Sequence, residues 1–196
     1  MVTLFSATKE KAATLVRSMT TSLSIATGGT DYRRWRSKGS FSPDWDSRTR
    51  IIAALVPPDS AVIDFGAGTM ALKTFLPGGC TYTPSDLVDR GAGTLVCNLN
   101  GSMLPQIPRH DVAVFGGVLE YVHDVPRLIS HLSNFVEAII ASYAVTESNQ
   151  QNRRGNGWVN DLSSGDILGL FEAAGFRMDC EDRWGSQPIY RFKRES

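Results

Sequence analysis

Ala61-Val62-Ile63-Asp64-Phe65 is an apolar run interrupted by one acid, and it passes directly into Gly66-Ala67-Gly68. A helix-compatible segment, Met70 to Leu76, follows. Nothing else in the chain constrains its fold as much. A nearly unbroken apolar run is the pattern of a strand buried on both faces, which belongs to parallel sheets covered by helices. Gly66 and Gly68 permit a turn that side chains would obstruct, and they let backbone approach a ligand. In open sheets of this kind ligands sit beyond the carboxyl ends of the strands.

The remaining pattern agrees. Strands are expected at Val62–Phe65, Thr81–Ser85 ending at Asp86, Leu95–Leu99, Asp111–Phe115 and Ala138–Tyr143. Pro126–Val136 supplies the helix between the last two. A helix over Ser163–Ala174 has Ser163 or Ser164 as cap and Gly175 beyond its end. Two closing strands, Phe176–Cys180 and Ile189–Phe192, flank a turn near Trp184-Gly185-Ser186. Upstream, Met1–Ala26 reads as a weakly amphipathic helix with a stripe of Leu4, Ala12, Leu15, Val16, Met19 and Leu23. Ser47–Val56 reads as a second helix, stopped by Pro57-Pro58. Strand–helix alternation implies helices on both faces of a sheet. One domain is expected over 1–196, with a cap segment over 1–50 and the core over 51–196.

The bulk numbers exclude several classes. Twenty Lys plus Arg balance twenty Asp plus Glu, so nothing points to a nucleic-acid partner. No apolar run approaches the roughly 20 residues of a membrane span. The three cysteines, Cys80, Cys97 and Cys180, form neither a disulfide framework nor a metal-binding pair. A cytoplasmic location is the expectation.

Asp64 narrows the ligand. A dinucleotide places its pyrophosphate over such a turn, and a carboxylate there would repel it. S-adenosylmethionine has no phosphate and carries a sulfonium and an ammonium, so the carboxylate suits it. Asp86, closing the second strand, can accept from both ribose hydroxyls, with Leu87 beside it. Asn98 can accept from an adenine amino group or donate to a ring nitrogen, and Leu99 can lie against the adenine plane. Phe115-Gly116-Gly117 after the fourth strand leaves room for donor and acceptor to meet. His123 is the histidine nearest that point, and its ordinary pKa suits proton removal from a hydroxyl.

Taken together, VIDFGAGTMAL, YTPSDL, VCNLN, DVAVFGGVLEYVHDVPRLI and LFEAAGF resemble the class I S-adenosylmethionine-dependent methyltransferases, particularly the group called type 11 or 12. The resemblance covers about Ala61 to Phe192. It implies an α/β, three-layer Rossmann-like sandwich: a seven-stranded, mostly parallel sheet with one antiparallel strand. It implies a methyltransferase with S-adenosylmethionine as cofactor. Asp64, Gly66, Ala67 and Gly68 would meet the methionine part, Asp86 the ribose and Asn98 the adenine. Two positions depart from the family. Members commonly carry an acid at Asn98, and many have glycine at Met70.

Acceptor pockets in this superfamily are built from variable additions. Here these are the N-terminal segment to about Trp45 and the loop Thr146–Trp158. Tyr32, Trp35, Arg36 and Trp45 are expected as walls, and Arg153 and Arg154 as partners for an anionic group. The acceptor is expected to be a small hydroxylated metabolite or sugar, methylated on oxygen, with no metal ion. Two rivals remain. Gly66-Ala67-Gly68-Thr69-Met70-Ala71 formally fits a dinucleotide fingerprint, though no hydride-transfer constellation accompanies it. A non-catalytic nucleoside-binding domain would share the fold.

Overall fold

The computed structural model describes residues 2–37, 40–91, 93–150 and 152–195, with side chains from Lys11 onward. Leu4 lies outside the described side chains. Seven strands form one sheet in the order β3-β2-β1-β4-β5-β7-β6. They are β1 Ala61–Phe65, β2 Thr81–Asp86, β3 Leu95–Val96, β4 His110–Gly116, β5 Val136–Ser142, β6 Phe176–Trp184 and β7 Gln187–Arg194. The pairings β1 with β2, β1 with β4, β2 with β3 and β4 with β5 are parallel. β7 alone runs against the rest, antiparallel to both β5 and β6.

Alternation along the strands builds two cores. Ile63, Phe65, Ala113, Phe115 and Ile139 face one side with Leu128, Ile129 and Phe171. These last belong to helices α5 (Val125–Leu132) and α6 (Ser164–Ala173). Val62, Val112, Val114 and Ile140 face the other with Ile52 and Leu72, from α3 (Trp45–Ala54) and α4 (Ala71–Phe75). Asp64 projects to the same side as Val62, because side chains alternate along a strand.

Helix α6 starts on a full capping box, with Ser163 accepting from the Asp166 amide and Asp166 accepting in return. Helix α5 opens on Asp124, whose side chain accepts from Arg127 N, and has proline in its first turn. Helix α1 (Val2–Thr27) and the short α2 (Tyr32–Arg36) precede the core. The stripe on α1 faces outward: Leu15, Val16, Met19 and Leu23 are all over 60% exposed, while Thr21 is buried. The helix is held by its polar side instead. Thr21 Oγ1 donates to Arg154 O at 3.0 Å and Arg17 Nη1 to Gly155 O at 3.1 Å.

Strand β3 is shorter than the pattern suggests. Only Leu95 and Val96 pair, with Ser85 and Asp86. Strand β6 is longer and carries a register shift between Met178 and Cys180. No described helix is long and apolar enough to cross a membrane.

Candidate active site

A cavity of about 580 Å³ opens at the carboxyl ends of β1, β2 and β4. Its floor is the turn Gly66-Ala67-Gly68, and its rim includes Asp86, Leu87, Asn98, Leu99, Gly116 and Gly117. The turn needs its glycines. Both have positive φ, 73° at Gly66 and 53° at Gly68. A Cβ at Gly66 would lie 2.5 Å from Val118 Cγ2, and one at Gly68 would lie 2.8 Å from Phe41 Cε1. Trp35, Phe41 and Trp45 cover the opening from the N-terminal side. Phe41 is ringed by both tryptophans, at centroid distances of 6.1 and 6.3 Å.

Two carboxyl groups set the polarity. Asp64 is buried and accepts from the Tyr82 hydroxyl at 2.8 Å. Burial pushes its pKa up to about 7, with the Tyr82 bond opposing and nearby Asp86 adding to the rise. Asp86 ties the turn to the rim. Its Oδ2 accepts from Gly68 N at 2.9 Å, and its Oδ1 accepts from Arg90 Nη2 at 3.1 Å. Arg90 also donates to Trp35 O, so the same guanidinium pins the aromatic cover. Asn98 Oδ1 already accepts from Thr30 Oγ1 and Asn100 N, each at 3.0 Å. What Asn98 has left to offer a ligand is its amide N–H.

A second chamber of about 420 Å³ adjoins the first, sharing Trp45, Arg48, Gly117 and Tyr121 with it. Trp158, Trp184, Glu120 and Gln187 complete its principal walls. Gln187 links the two charges: Arg48 Nη1 donates to Gln187 Oε1 at 3.2 Å, and Gln187 Nε2 donates to Glu120 Oε1 at 2.9 Å. Ala144 N donates to the same Glu120 oxygen at 2.8 Å. Burial raises the Glu120 pKa and lowers that of Arg48, each partly offset by the other's charge. Gly117, at φ 70°, makes room for Arg48; a Cβ there would lie 2.4 Å from Nη1.

Neither a family model nor any curated protein matches this sequence. Solved structures do. An N1-methyltransferase for 1,6-didemethyltoxoflavin from Burkholderia thailandensis, crystallised with that compound and S-adenosylhomocysteine, is similar at 19% identity and TM-score 0.63. The match spans 96% of this chain and 90% of that one. The chain has the class I methyltransferase fold. A mitomycin 7-O-methyltransferase shares it at 15% identity and TM-score 0.65, over 95% of this chain and 67% of that one. So does a magnesium protoporphyrin IX methyltransferase from Synechocystis with bound S-adenosylmethionine, at 16% identity and TM-score 0.56, over 91% and 97%.

Within this class I fold the expected cofactor residues converge. Asp64, Gly66, Ala67, Gly68, Asp86, Leu87, Asn98, Leu99 and Gly116 all line the larger cavity, as do Trp35 and Trp45. The other expected side chains do not reach either chamber. His123 turns away: its Nε2 lies 2.9 Å from Gly29 O and 3.4 Å from Ser24 Oγ, and its backbone N donates to Asn100. The chain still lines the cavity at Tyr121 and Val122, and the His123 ring is drawn from there to the end of α1. Arg153 is buried, and its N–H groups are taken by Asp161, Ala144 O, Asn149 O, Tyr143 and Asn160 O. Arg154 pairs with Asp161 and Trp158 O. These arginines brace the loop rather than face a ligand. Tyr32 and Arg36 are exposed on α2 and lie outside both chambers.

Sequence reasoning missed Arg48, Gln187, Trp184 and the inward direction of Glu120. Arg48 and Gln187 lie 139 positions apart, so no local pattern joins them. The usable signal was the tryptophan content: all four tryptophans, Trp35, Trp45, Trp158 and Trp184, line one chamber or the other. Among the described residues, no cluster of three or more His, Cys, Asp or Glu could hold a metal ion.

Proposed function

We propose that this protein is an S-adenosylmethionine-dependent methyltransferase acting on a small hydroxylated molecule. The observation that carries the reading is the Asp64–glycine turn–Asp86 arrangement at the floor of a cavity that adjoins a second chamber. The larger volume lies within the roughly 300–1,000 Å³ of small-ligand pockets. Asp64 suits the ligand's ammonium and sulfonium side, and its raised pKa falls when a cation arrives. Asp86, already fixed by Gly68 N and Arg90, retains lone pairs for a ribose hydroxyl. Leu87 and Leu99 offer apolar surface to the adenine, and Asn98 donates to it.

The cofactor supplies an electrophilic methyl group; the protein's task is alignment and exclusion of water. Gly116 lines the cofactor cavity, and Gly117, which accommodates Arg48, lines both chambers. Trp35, Phe41 and Trp45 shield the cofactor cavity from solvent. The solved relatives act on didemethyltoxoflavin, mitomycin and a porphyrin, which supports a small-molecule acceptor. The position of the acceptor atom is tested by screening hydroxylated metabolites and sugars with methyl-labelled cofactor. Carbon-13 spectra of the products should show O-methyl signals. Exclusively N- or C-methyl products would overturn the oxygen assignment, and no product with any acceptor would count against catalysis.

A further inference from the structure

The second chamber holds an unspent functional group. Glu120 is 1% exposed. Its Oε1 is fixed by Ala144 N and Gln187 Nε2, while its buried Oε2 has no hydrogen-bond partner among the described residues. A buried polar atom left unpaired costs about 1–3 kcal/mol. Two hydrogen-bond donors hold the carboxyl in place without satisfying that oxygen. Arg48 Nε is likewise buried and without a partner.

Several other polar groups of the chamber already have partners. Asn149 Nδ2 donates to Ser186 O and Asn149 Oδ1 accepts from Ser186 Oγ. Both ends of the Gln187 amide are used. The Trp184 indole N–H donates to Ser47 Oγ at 2.7 Å. The remaining wall is aromatic. Arg48 sits 5.5 Å from the Trp45 ring and 5.5 Å from the Trp184 ring, and Trp158 stands opposite Arg153 at 4.8 Å. A polyol needs a hydrogen-bond partner for each buried hydroxyl. A flat ring with one polar edge needs only one or two, and tryptophan faces stack on it.

We propose that the second chamber receives a flat aromatic acceptor whose O–H bonds to Glu120 Oε2, and that Glu120 takes that proton during methyl transfer. The inference rests on the methyltransferase reading above and narrows its acceptor class. The chamber shares Trp45, Arg48, Gly117 and Tyr121 with the cofactor cavity, so an acceptor bound in it lies beside the methyl donor. The acceptor's O–H bond breaks and its proton passes to Glu120. The freed electron pair binds the methyl group, and the departing sulfur keeps the electrons of the broken S–C bond. Charge balances: a cationic donor and a carboxylate give a neutral thioether and a carboxylic acid. Arg48, linked through Gln187, favours the ionised carboxylate from which the step begins and opposes charge build-up on the acceptor oxygen.

The test uses full-length protein saturated with S-adenosylhomocysteine. Tryptophan quenching and calorimetry follow titration with 2-naphthol, 8-hydroxyquinoline and glucose. The aromatic probes should bind and quench, and glucose should do neither. Trp184→Ala should weaken the aromatic probes by about tenfold or more without changing S-adenosylhomocysteine affinity. With methyl-labelled cofactor and the tighter aromatic probe, Glu120→Gln should slow transfer by about 10²–10⁴-fold, again at unchanged cofactor affinity. Aromatic probes that bind no better than glucose, or indifferently to Trp184→Ala, overturn the proposal. So does wild-type transfer by Glu120→Gln. Should Glu120→Gln not fold, the Trp184→Ala and probe comparisons still decide. Failure of the wild type to bind S-adenosylhomocysteine would be a different result, removing the methyltransferase reading itself.

Discussion

Tyr82 reaches across from β2 and donates its hydroxyl to Asp64 Oδ2 on β1, at 2.8 Å. The bond sits beneath the cofactor cavity and holds a buried acid whose pKa is pushed up to about 7. The folded protein therefore keeps the Asp64 proton to higher pH than the unfolded chain does. Between about pH 4 and pH 7 the native state binds more protons, so this group's stabilising contribution is present at low pH and is lost as pH rises through about 7. Urea midpoints from pH 4 to 8 should fall more steeply for wild type than for Asp64→Asn. Equal slopes would show that Asp64 is not protonated in the fold.

The same group couples cofactor binding to pH. A cationic ligand prefers the ionised acid, so S-adenosylmethionine affinity should rise as pH increases from 6 to 8, with proton release on binding below neutrality. Calorimetry in buffers of different ionisation enthalpy measures that release. Asp64→Asn should abolish it. Proton release that persists in the variant would place its source elsewhere.

Asp86 carries the second prediction at the cavity floor. Asp86→Ala removes the acceptor of Gly68 N and the partner of Arg90 together. Cofactor binding should weaken by about 1.5–3 kcal/mol, the range for hydrogen bonds to a charged group. Gly68→Val should be worse, because its Cβ would strike Phe41 from a left-handed backbone. Wild-type affinity in Asp86→Ala would move the ribose contact elsewhere.

Met70 occupies the left-handed region, at φ 60° and ψ 27°, where many members of the resembled family have glycine. A side chain there costs roughly 1–2 kcal/mol, partly offset by the greater freedom that glycine gives the unfolded chain. Met70→Gly should therefore stabilise by up to about 1 kcal/mol, and Met70→Val should destabilise. Chemical denaturation reads both; a destabilised Met70→Gly would mean the Met70 side chain contributes more packing than strain.

His123 joins the end of α1 to the core through Gly29 and Ser24. His123→Ala should leave cofactor affinity unchanged and loosen the N-terminal segment, seen as faster tryptic cleavage at Lys11 or Arg17. A fall in turnover of about 10²–10⁴-fold with α1 as protected as in wild type would instead return His123 to the chemistry.

How far the sequence is legible depends on what each residue depends on. β1, β4 and β5 are buried on both faces, so their apolar runs are plain in one dimension. The glycine turn and Asp86 follow from local backbone demands, and all nine expected cofactor residues line one cavity. The edges are less readable. β3 stops at Val96 because it has only β2 to pair with. β6 extends to Trp184 through Asp179, Glu181, Asp182 and Arg183, since an edge strand carries charge where a central one cannot. The arginines at 153 and 154 were visible, but their direction was not. Charge alone does not distinguish a loop brace from a ligand partner. Glu120 shows the converse, because burial of its carboxyl is decided by Gln187 at the start of β7 and Ala144 just past the end of β5.

The central claim is that the Asp64–glycine turn–Asp86 cavity takes S-adenosylmethionine and not a dinucleotide. Side-by-side calorimetry of S-adenosylhomocysteine and NADH on the intact protein tests it most directly. The account predicts saturable one-site binding of S-adenosylhomocysteine in the micromolar range, weakened by Asp86→Ala, and no heat from NADH. Tight NADH binding with no S-adenosylhomocysteine binding would contradict it.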